Sequence, residues 1–119
     1  MSTMTNLDIL RAKHALNRAN NLDKKNVNKI PGLIMSNGLL STLAYIIDKK
    51  SDSETSKAME AVIDYLKERN VISKNTVTGA LQELTNGDSI KLQRATFEAL
   101  QYLSYLKRFS EKKEIQKNT

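Results

Sequence analysis

The stretch LQRATFEALQYLSYL, residues 92–106, decides the fold class, because its apolar residues recur at the spacing of an α-helix. At about 100° per residue, one face of this helix is apolar and consists of Leu92, Ala95, Ala99, Leu103 and Leu106. The opposite face carries Arg94, Gln101, Tyr105, Arg108 and Lys112. Asp88 or Ser89 is placed to cap the helix at its start. The pattern therefore predicts a long amphipathic helix that continues to about residue 113.

The same helical spacing runs through the rest of the chain. Glycine (4 residues) and proline (1 residue) are scarce, and no alternating strand pattern is present. Further helices are predicted over about residues 6–23, 26–36, 39–48, 55–69 and 76–85. Asn37-Gly38 and Asn86-Gly87 end two of them, because both residue types tolerate the left-handed conformation. The prediction is an all-α fold, a compact bundle of five to six helices in a single domain over residues 1–119. Its ordered core should run from about residue 6 to residue 113, followed by a frayed C-terminal tail.

The first helix is predicted to have one buried face and one exposed face. The residues expected to face the core are Ile9, Ala12, Ala15, Leu16 and Ala19. Arg11, His14 and Arg18 fall on the opposite side, so they are expected to face solvent. The residues predicted to be buried elsewhere are Leu43, Leu66, Leu103 and Leu106. Residues 70–75 are predicted to be a connector that buries its own Val71 and Ile72.

Composition excludes several classes of protein. The chain has no cysteine, so disulfides, cysteine–zinc sites and thiol catalysis are ruled out. The longest apolar runs are far shorter than the roughly 20 residues that a membrane span needs. Residues 1–10 lack the basic start and apolar core of a signal peptide. We therefore expect a cytoplasmic protein with no membrane partner.

The positive charge lies at the two ends of the chain. The formal net charge is +6; residues 1–30 and residues 91–119 each carry +4, and the two segments between them each carry −1. If the ends pack together, they form one electropositive surface, and the natural partner of such a surface is a polyanion. Lys24, Lys25 and Lys107 belong to these basic ends.

No catalytic or metal-binding constellation is visible. His14 is the single histidine, so a histidine pair cannot form, and no glycine-rich phosphate loop is present. We therefore expect no catalytic residue, no metal, no cofactor and no enzymatic activity. A helix-turn-helix DNA reader would use residues 39–48 as its recognition helix, but that helix has no Arg, Asn or Gln to read a base edge.

Several stretches together resemble a known family. They are Arg11-Ala12, then IPGLIMSNGL at residues 30–39, TLAY at residues 42–45, and Arg94-Ala95-Thr96 followed by LKRF at residues 106–109. In this order and spacing they resemble the small helical subunit of the Cmr complex, the type III-B CRISPR RNA-guided effector. The resemblance covers about residues 7–110. The family often has tryptophan where this chain has Tyr105, so this chain keeps an aromatic ring at that position.

The resemblance implies a non-catalytic structural role in antiviral defence. A minor filament of such subunits would support the guide and target RNA beside the backbone and large subunits. Head-to-tail self-association needs two different contact patches, which the nearly neutral middle of the chain could supply. The candidate RNA-binding residues are Arg94, Arg108, Lys112, Lys107, Tyr105, Arg11, Arg18, Lys24 and Lys25.

Two other functions remain open on the sequence. One is a stand-alone basic helical regulator that binds nucleic acid. The other is a helical protein–protein adaptor whose charge serves only solubility. A regulator is expected to be a closed dimer, and an adaptor is expected to ignore RNA.

Overall fold

The computed structural model describes residues 6–48 and 53–110, and these residues form six α-helices. The helices are α1 (Leu7–Ala19), α2 (Lys24–Asn37), α3 (Leu39–Asp48), α4 (Ser53–Glu68), α5 (Val77–Thr85) and α6 (Ser89–Phe109). No strand occurs in the described part of the chain, which confirms the predicted all-α bundle. None of these helices combines the length and the apolar character that crossing a membrane would require.

Side-chain caps fix where four of the helices begin. The capping residues, whose side chains accept from backbone N–H groups two or three residues further on, are Asn6, Asp23, Thr76 and Asp88. Asp88 is thus the cap of the last helix. That helix ends at Phe109 and not near residue 113, because Ser110 has an extended backbone. The Ser110 amide and hydroxyl both donate to the Leu106 carbonyl, at 3.0 and 2.6 Å, and so close the helix.

Gly38 separates α2 from α3 in a conformation that only glycine adopts readily. Its φ is 89° and its ψ is 161°, and its amide donates to the Ile34 carbonyl at 2.8 Å. We expect Gly38→Ala to lower the free energy of unfolding by about 1–3 kcal/mol. The cost comes from the backbone, since a Cβ at this position meets no atom within 4 Å.

Gly32→Ala in α2 is the matched control, because its Cβ also meets open space and the residue is helical. This change should raise the free energy of unfolding by about 0.5–1 kcal/mol. Urea denaturation of both variants measures the difference. Equal effects of the two substitutions would contradict the conformational role of Gly38.

The core is formed mainly by α6, which packs against α1, α2 and α4, while α3 packs against α2 and α5. The predicted core residues Leu43, Leu66, Leu103 and Leu106 are each 0% exposed, so that prediction is confirmed. Val71 and Ile72, which belong to the connector between α4 and α5, are also buried, as predicted.

The predicted orientation of the first helix is wrong. Ile9 and Leu16 are 62% and 60% exposed, whereas His14 is 8% exposed. Of the residues expected in the core, Ala15 and Ala19 are buried. The small alanines let the helix approach its neighbours closely, and the polar side chains beside them find partners on α4 and α6. The helix also ends at Ala19, four residues earlier than predicted.

Candidate nucleic-acid interface

The solvent side of α6 carries cations and no acid. Arg94, Lys107 and Arg108 are exposed, as the sequence predicted. The helix has one acidic residue, Glu98, and this residue is 8% exposed and turned towards the core. An outward face with cations and no carboxylate attracts anions, and phosphate is one of the anions that arginine binds in bidentate geometry.

Arg11 lies inside the molecule, where it pairs with Glu98. Its Nη2 and Nε donate to the two Glu98 carboxylate oxygens at 2.9 and 3.2 Å, and both side chains are 11% exposed. Tyr65 donates its hydroxyl to the same carboxylate at 3.2 Å. Burial, together with the nearby Glu98 charge, raises the pKa of Tyr65 to about 12. The expectation that Arg11 faces solvent is therefore wrong, because its guanidinium holds α1 against α6.

His14 is the centre of a second buried network. Its Nε2 lies 2.7 Å from Asp64 Oδ2, and its Nδ1 lies 2.6 Å from the Tyr102 hydroxyl. A carboxylate oxygen can only accept, so His14 donates from Nε2 to Asp64; in the tautomer with its proton on Nε2, Nδ1 accepts from the Tyr102 hydroxyl. Burial raises the pKa of Tyr102, which keeps its proton available for this bond. The Tyr65 and Tyr102 rings stack beneath the network with centroids 4.5 Å apart.

Arg18 reaches the edge of this network. Its Nη1 donates to Asp64 Oδ2 at 2.8 Å, and its side chain is 39% exposed. His14, Asp64 and Glu68 also offer ligand atoms within 4.8 Å of one another. His14 Nε2 and Arg18 both donate to Asp64, so this arrangement fits a hydrogen-bonded network that ties α1 to α4 better than a metal centre.

The other candidate residues are spread over the molecule. Tyr105 is half-buried and packs on the core, and its ring centroid lies 6.2 Å from that of Phe109. Lys24 and Lys25 lie in the first turn of α2, and Lys25 is the more exposed. Lys112 lies outside the described residues. The structure thus brings Arg94 and Arg108 together on one helix face, and it places Arg11 and Arg18 in ion pairs elsewhere.

Sequence reasoning missed two exposed apolar residues on the same side of α6. Ile90 is 73% exposed and Phe97 is 57% exposed. Both lie at helical spacing from Arg94, Gln101 and Arg108, on one side of the helix. These five residues are called the outer face of α6 below. The signal was present, because Phe97 follows Arg94 by three residues and Ile90 by seven.

The fold and this face define a class: a small helical protein that presents a cationic helix surface. Comparison with protein families matches residues 8–113 to the family described as CRISPR-associated protein (Cas_Cmr5). The match covers most of the chain, so the chain belongs to this family, the small subunits of the type III-B CRISPR Cmr complex. The resemblance noted in the sequence is thereby confirmed. Searches of curated proteins and of solved structures found no match.

Proposed function

We propose that this chain is a non-catalytic structural subunit of a type III-B RNA-guided interference complex, in which it supports the guide and target RNA. Membership of the Cas_Cmr5 family supports a place in the Cmr complex. In this role the chain lies in a minor filament beside the backbone and large subunits. It acts in antiviral defence in the cytoplasm and carries out no chemical step itself.

The observation that carries the RNA-supporting role is the charge arrangement of α6. The helix keeps its one acid, Glu98, in the interior and pairs it with Arg11. Its exposed charges are therefore all positive, and they include Arg94 and Arg108. Contacts from such a face go to phosphates, which carry no sequence information, so one subunit can serve any guide sequence.

Head-to-tail association of copies is part of the same proposal. A filament requires two different patches on each copy, because the contact is heterologous. The molecule offers exposed apolar side chains on two separate helices: Ile9 and Leu16 on α1, and Met35, which is 76% exposed, on α2. These residues are separate from the outer face of α6, so a filament contact through them leaves that face open to RNA.

We expect Arg94→Ala combined with Arg108→Ala to weaken RNA binding in a salt-dependent way. Removing one phosphate-binding cation should flatten the log–log dependence of affinity on salt by about 0.7, so the double variant should flatten it by about 1.4. The drop in affinity should be similar for unrelated RNA sequences. Fluorescence anisotropy of a labelled single-stranded RNA over a salt series measures this slope.

The matched control removes two exposed lysines from other helices, Lys13 on α1 and Lys67 on α4. This double variant changes the net charge by the same amount and should leave the log–log dependence of RNA affinity on salt nearly unchanged. If the two double variants behave alike, only overall charge matters, and the assignment of the α6 face is wrong. If the Arg94/Arg108 variant fails to join the other subunits before RNA is added, the face binds an acidic protein surface instead.

The size of the native particle separates the proposal from its two alternatives. A stand-alone regulator would run as a closed dimer in the presence or absence of RNA. An adaptor would assemble with protein partners and ignore RNA. A structural subunit of the proposed kind should co-purify with the other Cmr subunits and with RNA from its native host.

A further inference from the structure

Phe97 is an aromatic ring that α6 holds in solvent between two cations. It is 57% exposed. Arg94 precedes it by about one helical turn, and Arg108 follows it by about three turns. The three side chains fall within about 60° of one another around the helix axis. More than half of this large apolar ring is left to water, which is unfavourable in the absence of a ligand.

The surroundings of the ring favour an anionic ligand. Within residues 6–48 and 53–110, no carboxylate forms an ion pair with Arg94 or Arg108. Gln101, on the same face, adds an amide that can donate and accept hydrogen bonds. An exposed ring flanked by unpaired cations is the arrangement that proteins use for single-stranded nucleic acid, with bases on the ring and phosphates on the cations.

Phe97 is better placed for stacking than Tyr105, the ring that the sequence singled out. The Tyr105 ring packs on the core and lies against Phe109 at an interplanar angle of 38°. Phe97 is free of both restraints: it is absent from the core cluster and has no ring neighbour among the described residues. A base can therefore approach the Phe97 ring without moving any part of the fold.

Building on the proposed function, we propose that Phe97 is a stacking platform for an unpaired RNA base, and that Arg94 and Arg108 hold the phosphates on either side. Arg94 and Arg108 are about 21 Å apart along the helix. A strand with a rise of about 3.4 Å per nucleotide covers that distance in about six nucleotides. The ligand is single-stranded, because the bases of a duplex already stack on their neighbours and cannot offer a free face to the ring.

The test compares Phe97→Leu and Phe97→Trp in the full chain. The probes are a labelled single-stranded RNA of about ten nucleotides and a duplex of the same length. Phe97→Leu should weaken single-strand binding about 5- to 150-fold, the loss that one stacked base represents. The salt slope should not change, since the phosphate-binding arginines remain, and duplex binding should not change either. Phe97→Trp should bind the single strand at least as tightly as the unmodified chain.

Tyr45→Leu is the control, because Tyr45 is also an exposed ring but lies on α3, outside the outer face of α6; this variant should bind both probes normally. Thermal unfolding should show that all the variants are folded. Unchanged single-strand affinity of Phe97→Leu would overturn the stacking role and leave the proposed function standing, provided that the arginine-dependent salt slope persists.

Two further outcomes would overturn the stacking role. One is an equal loss of single-strand and duplex affinity. This result would mean that the Phe97 ring positions the arginine side chains and does not stack on a base. The other is a Phe97→Leu chain that leaves the assembled complex while its RNA affinity stays normal, which would make the face a protein interface. Failure of the unmodified chain to bind either RNA up to about 10⁻⁴ M would contradict the proposed function itself.

Discussion

Replacing Glu98 by alanine is expected to lower the free energy of unfolding by about 3–5 kcal/mol. The carboxylate is 11% exposed and accepts two hydrogen bonds from Arg11 and one from Tyr65. Its removal leaves a nearly buried guanidinium without a counter-charge and a buried hydroxyl without an acceptor. Leaving one charge of a buried pair unpaired is among the most destabilising single changes.

Two further variants give this prediction its controls. Removing both partners, as in Arg11→Met with Glu98→Leu, should recover most of the lost stability, because no buried charge then remains. Glu60→Ala changes an exposed acid on α4 and should alter the free energy of unfolding by less than about 0.5 kcal/mol. Urea denaturation at constant pH compares the three. A Glu98→Ala protein as stable as Glu60→Ala would show that the ion pair does not hold α1 to α6.

Leu103→Ala is expected to lower the free energy of unfolding by about 2–5 kcal/mol. Leu103 is 0% exposed and lies on the apolar face of α6, the helix against which α1, α2 and α4 pack. The loss combines the transfer of the missing methyl groups with the cavity left between those helices. Leu16→Ala on α1 is the control, because Leu16 is 60% exposed and should cost less than about 0.5 kcal/mol. A loss below about 1 kcal/mol for Leu103→Ala would place this residue outside the core.

Helix bounds could be predicted well where residues close in the sequence determine them. The third helix begins and ends where predicted, at Leu39 and Asp48, because it follows the obligatory glycine and is nearly all apolar. For the last helix, the two predicted caps included the observed one, Asp88, and four of the five predicted core residues are buried, while Leu92 is partly buried. Its end was missed, because the bonds from Ser110 to the Leu106 carbonyl leave no periodic signal in the sequence.

The first helix shows why the rest could not be predicted. Part of its polar side is buried beside Ala15 and Ala19, because Arg11 and His14 have Glu98, Tyr102 and Asp64 as partners. These partners lie 50 to 88 residues away in the sequence, and helical periodicity within α1 cannot report them. Because apolar residues were expected to face the core, α1 was predicted with the wrong orientation, and Arg11 was predicted to be an exposed cation.

The exposed cations of α6 could be predicted from the sequence, but its exposed aromatic ring could not. Arg94 and Arg108 are exposed as expected, since they lie opposite the buried face of α6 and form no ion pair with an acid of the described residues. From the sequence, Tyr105 was assigned to the polar face, whereas Phe97, an apolar residue at the same helical spacing, was not considered. The choice between the two rings depends on packing, since Tyr105 packs on the core beside Phe109, whereas Phe97 is 57% exposed and lies outside the core cluster.

Ultraviolet crosslinking of the RNA-loaded complex from its native host shows directly whether RNA contacts the outer face of α6. Tryptic cleavage after Arg94 and Lys107 gives a peptide of residues 95–107, which contains Phe97. We expect nucleotide-bearing forms of this peptide, with the modification on Phe97. When Arg94 and Arg108 are replaced by alanine, trypsin no longer cleaves after residue 94, so the corresponding peptide is residues 92–107, and it should carry no nucleotide. Crosslinks confined to the other subunits, or to parts of this chain away from the outer face of α6, would contradict the proposed contact.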